Sequence, residues 1–196
     1  MIAVTRNKAV LFVDFRYFEK AKATVKHMQV ILQEKLFDQI TEILKKENIN
    51  TVLVESDSVT LSLYSRFCKE LPDFNISKED ILSRKIESLR SIKSSEELKL
   101  IKKSQALTDM TFSYILDRIS EGRTEKEVML DMEFFMRKNG SESVAFDFIV
   151  VSGKNSSLPH GVPTDKRIEK GDFITMDFGA VVGGYRSDMT RTVAVG

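Results

Sequence analysis

The sequence predicts two mixed folds in succession: an α/β layer over residues 1–78 and an α+β domain over residues 94–196, joined by a polar link at 79–93. Three observations carry this. Short apolar runs of strand length alternate with helical periodicity in the first half. Two capping boxes open long helices in the middle. From Ser143 onward the pattern turns to strands bounded by glycine.

In the first half, Ala9–Val13, residues 28–32 and residues 51–54 are short apolar runs of strand length. Between the last two, Leu36, Ile40, Ile43 and Leu44 recur at helical spacing, with Asn48 and Asn50 as stop signals. Val59, Leu63, Tyr64 and Phe67 predict another helix ending before Pro72. Such β–α alternation argues for a layered fold with some parallel strands. Residues 73–93 are polar and lack a clean period at first, so the domain boundary is placed there.

Ser94 and Glu97 form the first capping box, after which Leu98, Ile101, Gln105, Thr108, Phe112, Ile115 and Ile119 follow one helical face toward Gly122. Thr124 and Glu127 form the second, with Val128, Met132, Phe135 and Met136 as the apolar face and Gly140 as the stop. Residues 146–151, Phe173–Phe178 and 188–195 are the predicted strands. Helices followed by strands predict helices on one face of an antiparallel sheet.

Composition narrows the function. The chain has 196 residues, 42% hydrophobic and 30% charged, as expected of a folded globular protein. A formal charge of +1 gives no basic excess for nucleic acid or a membrane surface. No apolar run approaches the ~20 residues of a membrane span. Cys68 is the single cysteine, which excludes an internal disulfide, favours a cytoplasmic setting and reads as core filler rather than a nucleophile.

The chemistry concentrates in residues 171–195. Along one strand, Ile174, Met176 and Phe178 face one side, while Phe173, Thr175 and Asp177 face the other. A hairpin turning at Val182-Gly183 sets Asp177 opposite Asp188, and one turning at Gly183-Gly184 sets them diagonally. Both keep the carboxylates on one face, whereas a one-residue slip separates them. Two close carboxylates repel unless a cation neutralises them. The alternatives are a shared divalent metal, or a solvated hairpin in which Asp188 pairs with Arg186 or Arg191. Asp177-Phe178-Gly179 also spells a kinase metal triplet, but no glycine-rich phosphate loop or His-Arg-Asp segment accompanies it. With His27 and His160 the only histidines, a histidine-rich zinc site is excluded. His160 stands in a Gly/Ser/Asn/Pro-rich loop, either functional or simply solvated.

SGKNSSLPHG at 152–161, GDFITMDFGA at 171–180 and GYRSDMTRT at 184–192, in that order, resemble the creatinase and aminopeptidase P group of metallopeptidases. The upstream IESLRSIKSSEELKLIKKSQ is similar to the link and first helix of the catalytic domain in that group. AVLFVDFRYFEKA is similar to the middle of its N-terminal domain. The resemblance implies a partial creatinase-like α/β domain at 1–78, a linker at 79–93 and the first half of an α+β pita-bread domain at 94–196. It implies hydrolysis of Xaa-Pro bonds by a metal-bound water, on peptides with proline in second position, by a dipeptidase or an aminopeptidase P. Asp177 and Asp188 match the first two metal ligands, with Asp188 bridging two divalent ions, and His160 matches a histidine lining the substrate pocket. Manganese is the implied ion, with cobalt or zinc as alternatives, and members of the group are often homodimers.

The group takes a further histidine and two glutamates as ligands from beyond the SDMTRT box, and no histidine or glutamate follows Asp188 here. The chain is therefore expected to be incomplete at both ends, to hold half a metal site, to carry no catalytic residue besides those ligands, and to be inactive alone. The alternative is a non-catalytic binding or scaffold module on the same fold. A creatine-type C–N hydrolase is a third reading, against which the two retained aspartates count.

Overall fold

Strands form first where short apolar runs lie between turn residues. Ile2–Val4 (β1) pairs antiparallel with Ala9–Val13 (β2), which pairs parallel with Gln29–Leu32 (β3). The crossover is Phe15–Thr24 (α1), started by Asp14, whose carboxylate accepts from the Arg16 N–H. Leu36–Lys46 (α2) leads to Thr51–Leu53 (β4), and Leu61–Glu70 (α3), capped by Thr60, leads to the parallel partner Asn75–Ser77 (β5). Val10, Phe12, Phe37, Ile40, Leu44, Phe67 and Leu71 make the core of this unit.

In the computed structural model, which describes residues 1–196, the chain divides into two units, Met1–Ile92 and Lys93–Gly196. The stretch read as a linker carries a helix, Ile81–Ser91 (α4). Only Ser83 of α4 is buried, and Leu89 and the following Ile92 are 78% and 82% exposed. A helix with no buried apolar stripe leaves no 3.6-residue signal to read.

The second unit opens with the two capping boxes, both formed as expected: Ser94–Glu97 starts Ser95–Leu116 (α5), and Thr124–Glu127 starts Glu125–Lys138 (α6). α5 ends six residues before Gly122, where the Arg118 N–H takes the Ile115 carbonyl three residues back and tightens the last turn, sharing that acceptor with the Ile119 N–H. Ile149–Ser152 (β6), Phe173–Phe178 (β7) and Met189–Ala194 (β10) form an antiparallel sheet in the order β10-β7-β6, and Val181–Val182 (β8) with Tyr185–Arg186 (β9) extends the β7–β10 hairpin. β6 starts three residues later than expected. Residues 142–145 instead bond to the hairpin, from Glu142 N–H to Val181 O and from Ala145 N–H to Gly179 O.

The sheet is two-faced. Val150, Ile174, Met176, Phe178 and Met189 pack with Leu107 and Ile115 of α5 and Val128, Met132 and Met136 of α6. Each such side chain is worth about 1.5–3 kcal/mol when buried, so this face fixes the register. Its other face carries Thr175, Asp177, Thr190 and Thr192 beside Ile149 and Val151 of β6. No helix is long and apolar enough to cross a membrane.

Candidate metal and substrate site

The register of the hairpin decides what the two aspartates can do. Pairings Phe178↔Met189, Asp177↔Thr190 and Val181↔Arg186 all belong to one two-residue turn, Gly183-Gly184, with φ of 59° and 77°. Two successive left-handed residues make a type I′ turn, whose twist suits a hairpin. Of the two registers the sequence allowed, this is the diagonal one. Asp188 lies two residues from Thr190, the partner of Asp177, so the carboxylates share a face as diagonal neighbours roughly 7–8 Å apart, their Cβ atoms somewhat closer.

Asp177 is half-buried, and its Oδ1 is buried with no hydrogen-bond partner. An acceptor stripped of water and left unpaired is costly, and a cation is one way to satisfy it. Asp188 is on the open face and exposed, yet its carboxyl is pushed above the usual range, first by partial loss of hydration and then by the Asp177 carboxylate. These features fit a divalent cation held between two carboxylates. No third His, Cys, Asp or Glu joins them.

A buried hydroxyl cluster holds this hairpin on its helix. The Ser187 hydroxyl meets Thr108 Oγ1 at 2.7 Å and Ser104 Oγ at 3.0 Å and accepts from the Ala180 N–H at 2.9 Å. Gly179 lies directly under this crossing: a Cβ there would sit 1.9 Å from the Ser187 carbonyl oxygen. Asp188 thus follows a residue locked to α5.

His160 is exposed in a turn after a 3₁₀ segment, Gly153–Ser157. Its loop is pressed on the aspartate-bearing face. Val151 and Ile149 on β6 are the Cα partners of Thr175 and Asp177, and such partners project to the same side. A Cβ on Gly161 would meet Val151 Cγ1 at 2.7 Å, so glycine lets the loop approach. A cleft of about 650 Å³ is lined by His160, Ile149, Phe148, Asp147, Met129 and Val162, among others. Neither aspartate lines it; Ile149, beside Asp177, is the link between them.

The sequence reading did not pick out Glu125. It is wholly buried at the start of α6, and its carboxylate takes four hydrogen bonds: from Ser152 N and Oγ at 2.7 and 2.9 Å, and from Thr164 N and Oγ1 at 2.9 and 2.7 Å. The only local hint was a second acid beside the capping glutamate, which reads equally well as a favourable charge in the first helical turn.

Residues 99–196 match the model of metallopeptidase family M24, half of the chain, and residues 1–92 match the creatinase/prolidase N-terminal domain. The chain belongs to metallopeptidase family M24. An Xaa-Pro dipeptidase of Pyrococcus furiosus is 38% identical across all of this M24 chain, which covers 54% of it. An uncharacterized peptidase of Bacillus subtilis is 40% identical, again across the whole chain and 55% of the relative. Among solved structures, an Xaa-Pro dipeptidase from Bacillus anthracis superposes with a TM-score of 0.91 at 39% identity, over all of this chain and 54% of that one. The chain spans about half the length of the curated relatives it matches. Its architecture is a creatinase-type N-terminal domain followed by the start of the M24 pita-bread domain, as the motifs implied.

Proposed function

We propose that this chain supplies the N-terminal domain and the first half of the catalytic domain of a divalent-metal-dependent peptidase acting on Xaa-Pro bonds. The relatives named Xaa-Pro dipeptidase support the substrate class. The observation that carries the metal is the orphaned, buried Oδ1 of Asp177 beside the crowded carboxyl of Asp188. Asp177 and Asp188 would hold the divalent metal. Oxygen donors suit manganese, with cobalt or zinc as alternatives. When bound, the metal supplies Lewis acidity and activates a water for hydrolysis.

The chain's own residues do the rest. The Ser187 cluster and the tight turn keep Asp188 facing Asp177, so no reorganisation is needed to form the pair. His160 offers an imidazole at the mouth of a cleft large enough for a short peptide, with Met129, Phe148, Ile149 and Val162 as apolar walls for a proline ring. A cytoplasmic setting is consistent with the single cysteine.

The test uses the complete chain as the cell makes it, stripped by chelation and assayed on Leu-Pro with and without manganese. Turnover should require the metal. Asp177→Asn and Asp188→Asn should each lower kcat by on the order of a hundredfold or more, since a Lewis-acid metal is worth several kcal/mol. Turnover that survives chelation, or either substitution, would overturn the assignment.

A further inference from the structure

Glu125 belongs to neither the metal pair nor the cleft, yet it is the most completely enclosed charge in its unit. Burying a carboxylate costs several kcal/mol unless donors compensate, and here four do. They come from two residues, Ser152 and Thr164, each giving its N–H and its hydroxyl. Lys166 extends the chain of bonds, donating to Ser152 Oγ at 3.0 Å and to Asp172 at 2.7 Å. A cation, a hydroxyl and the buried carboxylate therefore lie in sequence.

Ser152 and Thr164 are the two ends of the segment that carries His160. The incoming arm is β6, paired with β7. The outgoing arm is tied to the start of α6 by Glu125 N–H to Lys166 O, Lys126 N–H to Thr164 O and Ile168 N–H to Arg123 O. Within the segment the backbone bonds are short-range, from Leu158 N–H to Asn155 O and Gly161 N–H to Leu158 O. Beneath the loop the Glu125 carboxylate joins one arm to the other with four hydrogen bonds, and the Lys166 ammonium adds a fifth to Ser152 Oγ.

We propose that Glu125 is a positioning residue for His160: it clasps the base of the 153–163 loop and so fixes the imidazole over the cleft. The inference rests on the peptidase reading only for His160's role toward substrate; the clasp itself is independent of it. Glu125→Gln preserves size but turns an NH₂ group toward two donors, which opens one side of the clasp. Thr164→Val removes one donor and keeps its N–H, and Thr164→Ser keeps both.

In the complete, manganese-loaded chain, Glu125→Gln should raise KM for Leu-Pro about tenfold, as loss of one hydrogen bond made equally to substrate and transition state does, with kcat and bound manganese little changed. His160→Ala should behave alike, and Glu125→Gln should add less than about twofold in the His160→Ala background, because two residues acting as one unit are not additive. Thr164→Val should give a weaker version and Thr164→Ser none. Multiplying effects in the double variant, or a fall in kcat alone, would overturn the proposal. Hydrogen exchange on the same proteins should quicken at 153–163 in Glu125→Gln and Thr164→Val while β7 stays protected; unchanged exchange also overturns it. If the parent protein does not turn over Leu-Pro, quickened exchange confined to the loop keeps the clasp and removes the peptidase reading. If Glu125→Gln does not fold, Thr164→Val with its serine control decides.

Discussion

At the scale of single residues, Asp188 shows how a site can work against the fold that carries it. Its carboxyl is pushed up by lost hydration and by Asp177. A carboxyl raised in the folded state holds its proton to higher pH than in the unfolded chain. The metal-free protein therefore gains from this group at low pH, below the unfolded value, and loses that gain as pH rises through the carboxylate range to the folded value. Asp188→Asn should raise the melting temperature of the chelated protein at pH 7 and leave it nearly unchanged at acid pH. Added manganese should raise the melting temperature of the parent protein and not of the variant. A variant that melts lower at pH 7 without metal would show that the aspartate pair is not strained. Asp172 has the opposite sign: the Lys166 ammonium and the Glu169 N–H hold its carboxyl down, so its contribution is present at neutral pH and fades on acidification.

At the scale of elements, the β7–β10 hairpin depends on backbone freedom at two points for different reasons. Gly183 and Gly184 must both be left-handed, and nothing crowds a Cβ on Gly184. Gly184→Ala should therefore cost only the backbone penalty, about 1–2 kcal/mol. Gly179→Ala places a methyl within 1.9 Å of a backbone carbonyl, so the hairpin must part and carry Ser187 and Asp188 with it. Urea melts should show a clearly larger loss for Gly179→Ala, with manganese binding lost as well; equal losses would mean the crossing can relax. The hairpin also shows what the sequence could reveal. Alternation along β7 placed Ile174, Met176 and Phe178 inward, and a glycine pair located the turn to within one residue, because burial and left-handed φ both restrict residue choice. α4 could not be read, since it buries no apolar side chain. Glu125 could not be singled out, since its partners Ser152 and Thr164 lie 27 and 39 residues away and only the folded chain brings them together. That Asp177 and Asp188 share a face was readable from the alternation, and the turn settled which of the two registers they adopt.

At the scale of the whole molecule, the second unit has one finished face and one open one. The finished face carries the apolar core packed between sheet and helices; the open face carries Thr175, Asp177, Thr190 and Thr192, with β6 and β10 each paired on one side only. A divalent ion such as manganese prefers about six oxygen ligands. Two carboxylates, with no third acidic or histidine side chain beside them, leave most of that shell to water. The 196-residue chain by itself should therefore bind manganese no more tightly than about 10⁻⁴ M, the range of weak carboxylate sites, and should hydrolyse Leu-Pro negligibly. Calorimetric titration and a dipeptide assay on the purified chain measure both. Turnover that disappears with Asp188→Ala would contradict this, and the site would then be either completed by a second chain or sufficient within one. A concentration series then separates the cases: activity that rises with the square of protein concentration comes from two copies of this chain completing one site, and activity linear in concentration means that Asp177 and Asp188 suffice within one.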